Sequence, residues 1–225
     1  MASTALILDS RFRENDVIGW LRPSFRRAWL AVAALLSTLA LTACSSGEKP
    51  AIKFNATDIT GAAFGKTLAL NDSATLQPRT LESFKGRATV LFFGYMFCPD
   101  YCPTTMTTLN AALGKMKPED AARVQVLFVT VDPKRDQPKL LTDYVHAFNP
   151  TFAALYGTDE QTAAVAKEFK IIYQKSQVKD ANTYLVDHST QMYGFDPQGR
   201  IRLLIRHESG PDSIAADLTT LLGQS

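Results

Sequence analysis

Two cysteines separated by three residues stand in the stretch FCPDYCPTT, Phe97–Thr105, and each is followed at once by a proline. Thiols placed this way serve redox exchange, metal ligation or a structural disulfide. Pro103 suits the first turn of a helix, which puts Cys102 at the helix's N-terminal edge. Pro99 drives Cys98 toward extended backbone, in the loop leading into that helix. Both sulfurs then lie near unsatisfied N–H groups and the positive end of the helix dipole, a setting that favours thiolate. Thiolate is the form required for redox attack and for metal binding alike. On a helical turn, residues four apart have Cβ atoms roughly 5–6 Å apart. An unstrained disulfide holds its Cβ atoms about 3.8 Å apart. A metal tolerates the wider spacing, and a disulfide remains open if the loop adjusts.

A metal would require a third ligand, and the chain has three histidines. His146, in DYVHAF, falls within a helical pattern and reads as a surface residue. His207 follows the strand-like IRLLIR. His188, in YLVDHSTQMY, falls in a loop just before a strand. In thioredoxin-like folds that loop carries a cis-proline facing the cysteine pair, yet no proline occurs between Thr151 and Asp196. His188 is therefore the candidate third ligand, weighed against an ordinary loop histidine. Two thiolates and an imidazole suit Cu(I), and Cu(II) with an added donor; zinc prefers four ligands in a structural site.

These residues need a frame. ATVLFFGYM and VQVLFVTVD (124–132) are continuous apolar runs and read as buried strands. Helices are expected over Thr104–Met116, over 137–148 with Pro138 near its start, over Glu160–Phe169, and over 211–222 with Pro211 at its start. Phe152–Tyr156 reads as a short strand. QMYGFD and RIRLLIRH flank PQG as a hairpin, and two further strands are expected around the turn Thr60–Gly61. Strands alternating with helices imply an α/β domain, a mixed central sheet with helices on both faces. With a cysteine pair at a strand-to-helix turn, the order matches the thioredoxin-like fold.

The N-terminus reads differently from the rest. Arg22, Arg26 and Arg27 precede AWLAVAALLSTLA and then LTAC, ending at Cys44. A basic stretch, a short apolar run and small residues before a cut site describe a secretory leader. Cysteine directly after Leu-Thr-Ala is the lipoprotein pattern, with Cys44 lipidated. Residues 1–43 are read as the leader, 44–50 as a tether and 51–225 as the domain. Asp9, Glu14 and Asp16 are unusual in a leader, and a start near Val17 or Leu21 is expected. Of 24 basic and 22 acidic residues, the leader holds five and three, leaving 19 of each in the remainder. That balance offers no footprint for nucleic acid. With Cys44 carrying lipid, Cys98 and Cys102 are the two thiols left, in an oxidising periplasmic setting.

LFFGYMFCPDYCPTT, VLFVTVDPKRD and YLVDHST, in this order and spacing, resemble the Sco/SenC family of copper-binding cytochrome c oxidase assembly proteins. The likeness runs from about Phe54 to Leu222. It implies a thioredoxin-like fold, a membrane anchor and one copper per chain on Cys98, Cys102 and His188. It also implies a role in maturing the dinuclear copper centre of cytochrome c oxidase. The partners implied are the copper-receiving subunit of the oxidase and an upstream periplasmic copper donor or thiol reductant. Asp132, Pro133, Arg135 and Asp136 match the VDP.RD stretch and are expected at the same sheet edge as the cysteines, fixing a loop. Asp100 is either an acceptor behind the ligands or a turn residue, and Tyr101 shields the site or faces a partner. Family members usually carry an apolar residue in place of Gly194, and glycine weakens a strand interior. Two functions compete: a copper metallochaperone, and a thiol-disulfide reductase using Cys98 and Cys102. A thiol peroxidase of the same fold lacks a clear peroxide-activating constellation here.

Overall fold

The computed structural model describes residues 53–223. The segment expected to be a leader, Cys44 and the expected tether lie outside the described residues. The strands are β1 Thr57–Asp58, β2 Leu70–Asp72, β3 Pro78–Arg79, β4 Ala88–Gly94, β5 Val124–Thr130, β6 Ala153–Tyr156, β7 Tyr173–Ser176, β8 Leu185–His188, β9 Met192–Phe195 and β10 Ile201–Ile205. The helices are α1 Tyr101–Lys115, α2 Pro118–Ala121, α3 Pro138–Phe148, α4 Asp159–Glu168 and α5 Pro211–Leu222.

Among the described residues, eight strands form one sheet in the order β1-β10-β9-β4-β5-β6-β2-β3, and β7 pairs only with β8. β4, β5 and β6 run parallel at its centre, and the flanking pairings are antiparallel. β4 and β5 are buried at every position, as strands covered on both faces must be. Side chains alternate between the two faces. Phe92 meets Phe128, which meets Tyr144 of α3. Phe93 points the other way, onto Phe169 just past α4, which also packs on Tyr193 and Phe195. α1 packs against both α3 and α5. The architecture is the mixed-sheet, thioredoxin-like α/β fold expected from the sequence.

Local chemistry sets most helix starts. Pro138 and Pro211 open α3 and α5, where a missing N–H costs nothing. Thr158 and Gln161 form a reciprocal capping box, so α4 starts at Asp159, one residue before the expected position. α1 starts at Tyr101 rather than Thr104, which brings Cys102 inside its first turn.

Two expectations need correction. The strands around Thr60–Gly61 do not pair with each other. β1 joins β10, and β2 joins β6 and β3. The turn itself forms: Asp58 accepts from the Thr60 N–H at 2.8 Å, and Gly61 takes a positive φ of 85°. It ends β1 without folding the chain back on it. His188 is the last residue of β8, not a loop residue. Gly194 stays within β9, paired to Val90 and Leu203, but β10 shifts register between Ile201 and Leu203. A Cβ at Gly194 would come within 3.0 Å of the Leu203 Cβ, so the close strand approach depends on this glycine.

Candidate metal centre

The centre lies at the carboxyl ends of β4 and β5, where open parallel sheets place their ligands. The chain leaves β4 at Gly94, runs through Tyr95–Pro99 and enters α1. It leaves β5 at Thr130 and runs through Val131–Gln137 into α3. The Val131 N–H donates to the Gly94 carbonyl at 2.8 Å, so the two connections start side by side.

Gly94 has a specific task. A Cβ there would sit 2.6 Å from the Cys102 Sγ and 2.9 Å from the Phe128 ring. Only a residue without a side chain leaves that space to the sulfur. Cys102 is fully buried, and Cys98 is nearly so. Both are free thiols, not a disulfide. The third group comes from the β7–β8 ribbon. The ligand atoms of Cys98, Cys102 and His188 all lie within 4.8 Å of one another. His188 Nε2 is 3.6 Å from the Cys102 Sγ.

The imidazole tautomer follows from its other nitrogen. Nδ1 lies 2.9 Å from the Ser189 carbonyl oxygen, which can only accept. Nδ1 therefore carries the proton, and the Nε2 lone pair faces the sulfurs. That is how a ligating histidine is oriented from behind. The ring is held edge-on by Tyr95 and Phe92, with centroids 5.8 and 6.3 Å away.

The two thiols share a proton unequally. A hydrogen bond from Cys102 holds the Cys98 thiol well below its ordinary range, against the cost of burial, with help from the peptide groups of Cys102 and Asp100. The same hydrogen bond, together with burial, pushes Cys102 up. Cys98 is thus the first of the pair to ionise.

The VDP.RD residues stand at the cysteine edge, as expected, and none is near enough to join the cluster. Asp136 accepts from the Met96 N–H at 3.1 Å and the Thr130 hydroxyl at 2.6 Å, which ties the cysteine loop to β5. Burial raises its carboxyl to about 6. Asp132 accepts from Arg135 Nε and, at 2.8 Å, from the Tyr184 hydroxyl. Asp100 occupies the N-cap position of α1 but is exposed and makes no capping hydrogen bond. Tyr101 is half exposed, and its ring packs against His207, whose Nδ1 is 2.9 Å from the Thr105 hydroxyl. His146 is exposed on α3.

The description of one protein family, SCO1/SenC, fits residues 58–223. The chain belongs to this family. It is 37% identical over 125 residues to mitochondrial SCO2 of Saccharomyces cerevisiae, covering 55% of this chain and 42% of that protein. It is 32% identical over 120 residues to a SCO2-like protein of Rickettsia prowazekii, covering 53% of this chain and 58% of that protein. The chain thus spans about half the length of the curated relatives it matches. Among solved structures it resembles copper-bound ScoI of Bradyrhizobium japonicum at 34% identity and a TM-score of 0.65, over 71% of this chain and 100% of that one. It also resembles apo Sco1 of Thermus thermophilus at 36% identity and a TM-score of 0.69, over 77% of this chain and 99% of that one.

Within this SCO1/SenC member, sequence reasoning missed Gly94 and Tyr184. A glycine closing a buried strand just before a cysteine loop is a readable sign of close approach. Tyr184 offers no such sign, because its partners are about 50 residues away in the chain.

Proposed function

We propose that the chain is a copper metallochaperone. Cys98, Cys102 and His188 would take one copper ion as cargo and pass it to the copper-receiving subunit of cytochrome c oxidase, for its dinuclear centre. The observation that carries this reading is the convergence of two sulfurs and a tautomer-fixed Nε2 within 4.8 Å. Two soft thiolates and one imidazole match Cu(I) in three-coordination, and Cu(II) with one more donor. Asp132, Arg135 and Asp136 buttress the ligands from behind. Membership of the SCO1/SenC family and the likeness to a copper-bound ScoI support the same reading. We place the domain on the periplasmic face of a membrane, held by lipid on Cys44, and supplied by an upstream copper donor or thiol reductant.

One observation favours a second reading, a thiol-disulfide reductase. The pair is free, and Cys98 is poised as a thiolate near a helix N-terminus. His188→Ala separates the two. It removes a proposed ligand and leaves both sulfurs, and thiolate attack needs only the sulfur and its activation. On the metallochaperone reading, the variant holds copper at least about 10-fold more weakly, and oxidase maturation fails in cells. Its dithiol still oxidises and reduces. Unchanged copper affinity with normal oxidase assembly would defeat the proposal. A thiol titration run alongside shows whether the imidazole also tunes Cys98.

A further inference from the structure

The ribbon that carries His188 has no strand hydrogen bond to the eight-stranded sheet. A lone two-stranded ribbon is marginally stable in water, so side chains must hold it in place. Arg135, from the connection after β5, occupies the junction. Its Nη1 donates to the carbonyls of Tyr184 at 2.8 Å and Asn182 at 3.3 Å, just ahead of β8. Its guanidinium carbon lies 3.6 Å from the Tyr184 ring centre. The same group lies 4.9 Å from the Phe97 ring and 5.6 Å from the Tyr95 ring, both in the cysteine loop. Nε donates to Asp132, whose other oxygen accepts from the Tyr184 hydroxyl. The side chain is 11% exposed, and Nη2 has no hydrogen-bond partner among the described residues. A planar guanidinium stacks on rings and forks to carbonyls at once, and an ammonium does not.

We infer that Arg135 is a positioning residue that sets the distance of His188 from the two sulfurs. It touches none of the three ligand side chains. It clamps Tyr184, four residues upstream on the same extended segment, against the cysteine loop, and that segment carries the placement to His188. The inference rests on reading Cys98, Cys102 and His188 as a metal site. Other ties between the ribbon and the cysteine loop include a hydrogen bond between the Tyr95 hydroxyl and the Val186 backbone and the edge contact of the His188 ring with Tyr95, and the ring also meets Phe92 of β4.

The test uses the full chain, reduced and purified in detergent, with Arg135→Met, Arg135→Lys and His188→Ala. Met keeps the apolar stem and loses the charge and the fork; Lys keeps the charge alone. In copper-free protein, NMR contacts between the His188 ring and the Tyr95 and Phe92 rings are expected to vanish in Arg135→Met. In copper-loaded protein, X-ray absorption is expected to count two sulfurs and to lose the imidazole. Affinity, measured by chelator competition, is expected to fall about 10–100-fold, as for a group that orients a ligand. Arg135→Met combined with His188→Ala should bind no more weakly than His188→Ala alone, because both remove the same ligand. Arg135→Lys should recover only part of the loss.

A folded Arg135→Met protein that keeps the ring contacts and the imidazole overturns the inference, and so do fully additive losses. If Arg135→Met does not fold, Arg135→Lys decides: wild-type ring contacts and affinity in that variant overturn it. A wild-type protein whose copper lacks an imidazole would defeat the metal-site reading instead. The copper-free ring contacts would still judge Arg135.

Discussion

The cysteine loop continues from β4, a strand paired on both sides and buried along its whole length. His188 sits at the end of β8, in a ribbon outside that sheet, and reaches the same centre through side chains. The sulfurs inherit their positions from the core. The imidazole inherits its position from a few polar and aromatic contacts. Damage to the core should therefore disturb stability and sulfur placement together, whereas damage to the ribbon should move the imidazole and spare the sheet.

The largest effect is expected on the cysteine side, at Gly94. A methyl group there falls 2.6 Å from the Cys102 sulfur and 2.9 Å from Phe128, and both neighbours are buried. Gly94→Ala should cost stability at or above the upper end of the roughly 1–3 kcal/mol typical of overpacking. It should also abolish retention of copper by the reduced protein. Urea unfolding and metal content after gel filtration measure the two effects. An alanine variant with wild-type stability and copper content would show that the cysteine loop is less constrained than its packing implies.

Asp136 gives the cysteine half a pH signature. Burial holds its carboxyl at about 6 in the folded protein, against 3.8 ordinarily. Between those values the folded state keeps a proton that the unfolded chain has released. The contribution is therefore fully present below about pH 3.8 and is lost as pH rises through 6, a swing of about 3 kcal/mol. Asp136→Asn keeps an acceptor for the Met96 N–H and the Thr130 hydroxyl, but it does not titrate. The difference in unfolding free energy between wild type and variant should change by most of that amount between pH 4 and pH 7. A constant difference would mean that Asp136 is not raised.

On the histidine side, Tyr184→Phe deletes one hydroxyl and leaves an oxygen of Asp132 without its donor. An abandoned buried acceptor costs about 1–2 kcal/mol. The damage should be local. Amide exchange should quicken across β7 and β8 and stay unchanged in β4 and β5. Equal acceleration in both regions would erase the contrast between them.

How much of this was legible depended on whether the signal was local. β4 and β5 are unbroken apolar runs, and both proved buried at every position. Pro138 and Pro211 marked the starts of two helices. PQG marked the β9–β10 hairpin. The cysteine loop could be read because its parts lie within nine residues. The ribbon could not. Tyr173–Ser176 is YQKS, with both central positions exposed, so no apolar alternation announces β7. β1 and β2 are two and three residues long, and their partners are remote: β1 pairs β10, and β2 pairs β6. His188 could be named as a candidate ligand from the missing proline. The means of holding it, Arg135 on Tyr184 and Asp132 beneath, joins segments far apart in the chain.

The smallest effect is expected at Asp100, which lies between the cysteines in sequence and beside neither in function. It stands at the N-cap of α1, where an aspartate side chain normally caps free helix N–H groups. Here that side chain makes no such bond and is exposed. What Asp100 does give the centre is its peptide group, which helps to hold Cys98 as a thiolate. Alanine supplies the same peptide. Asp100→Ala should therefore change the unfolding free energy by less than about 0.5 kcal/mol and copper affinity by less than about twofold. A residual effect of its negative charge at the positive helix end would be screened by salt. Measuring affinity at low and high ionic strength separates that term from direct ligation. A tenfold loss that persists in high salt would place the carboxylate on the metal and extend the cysteine half of the centre by one ligand.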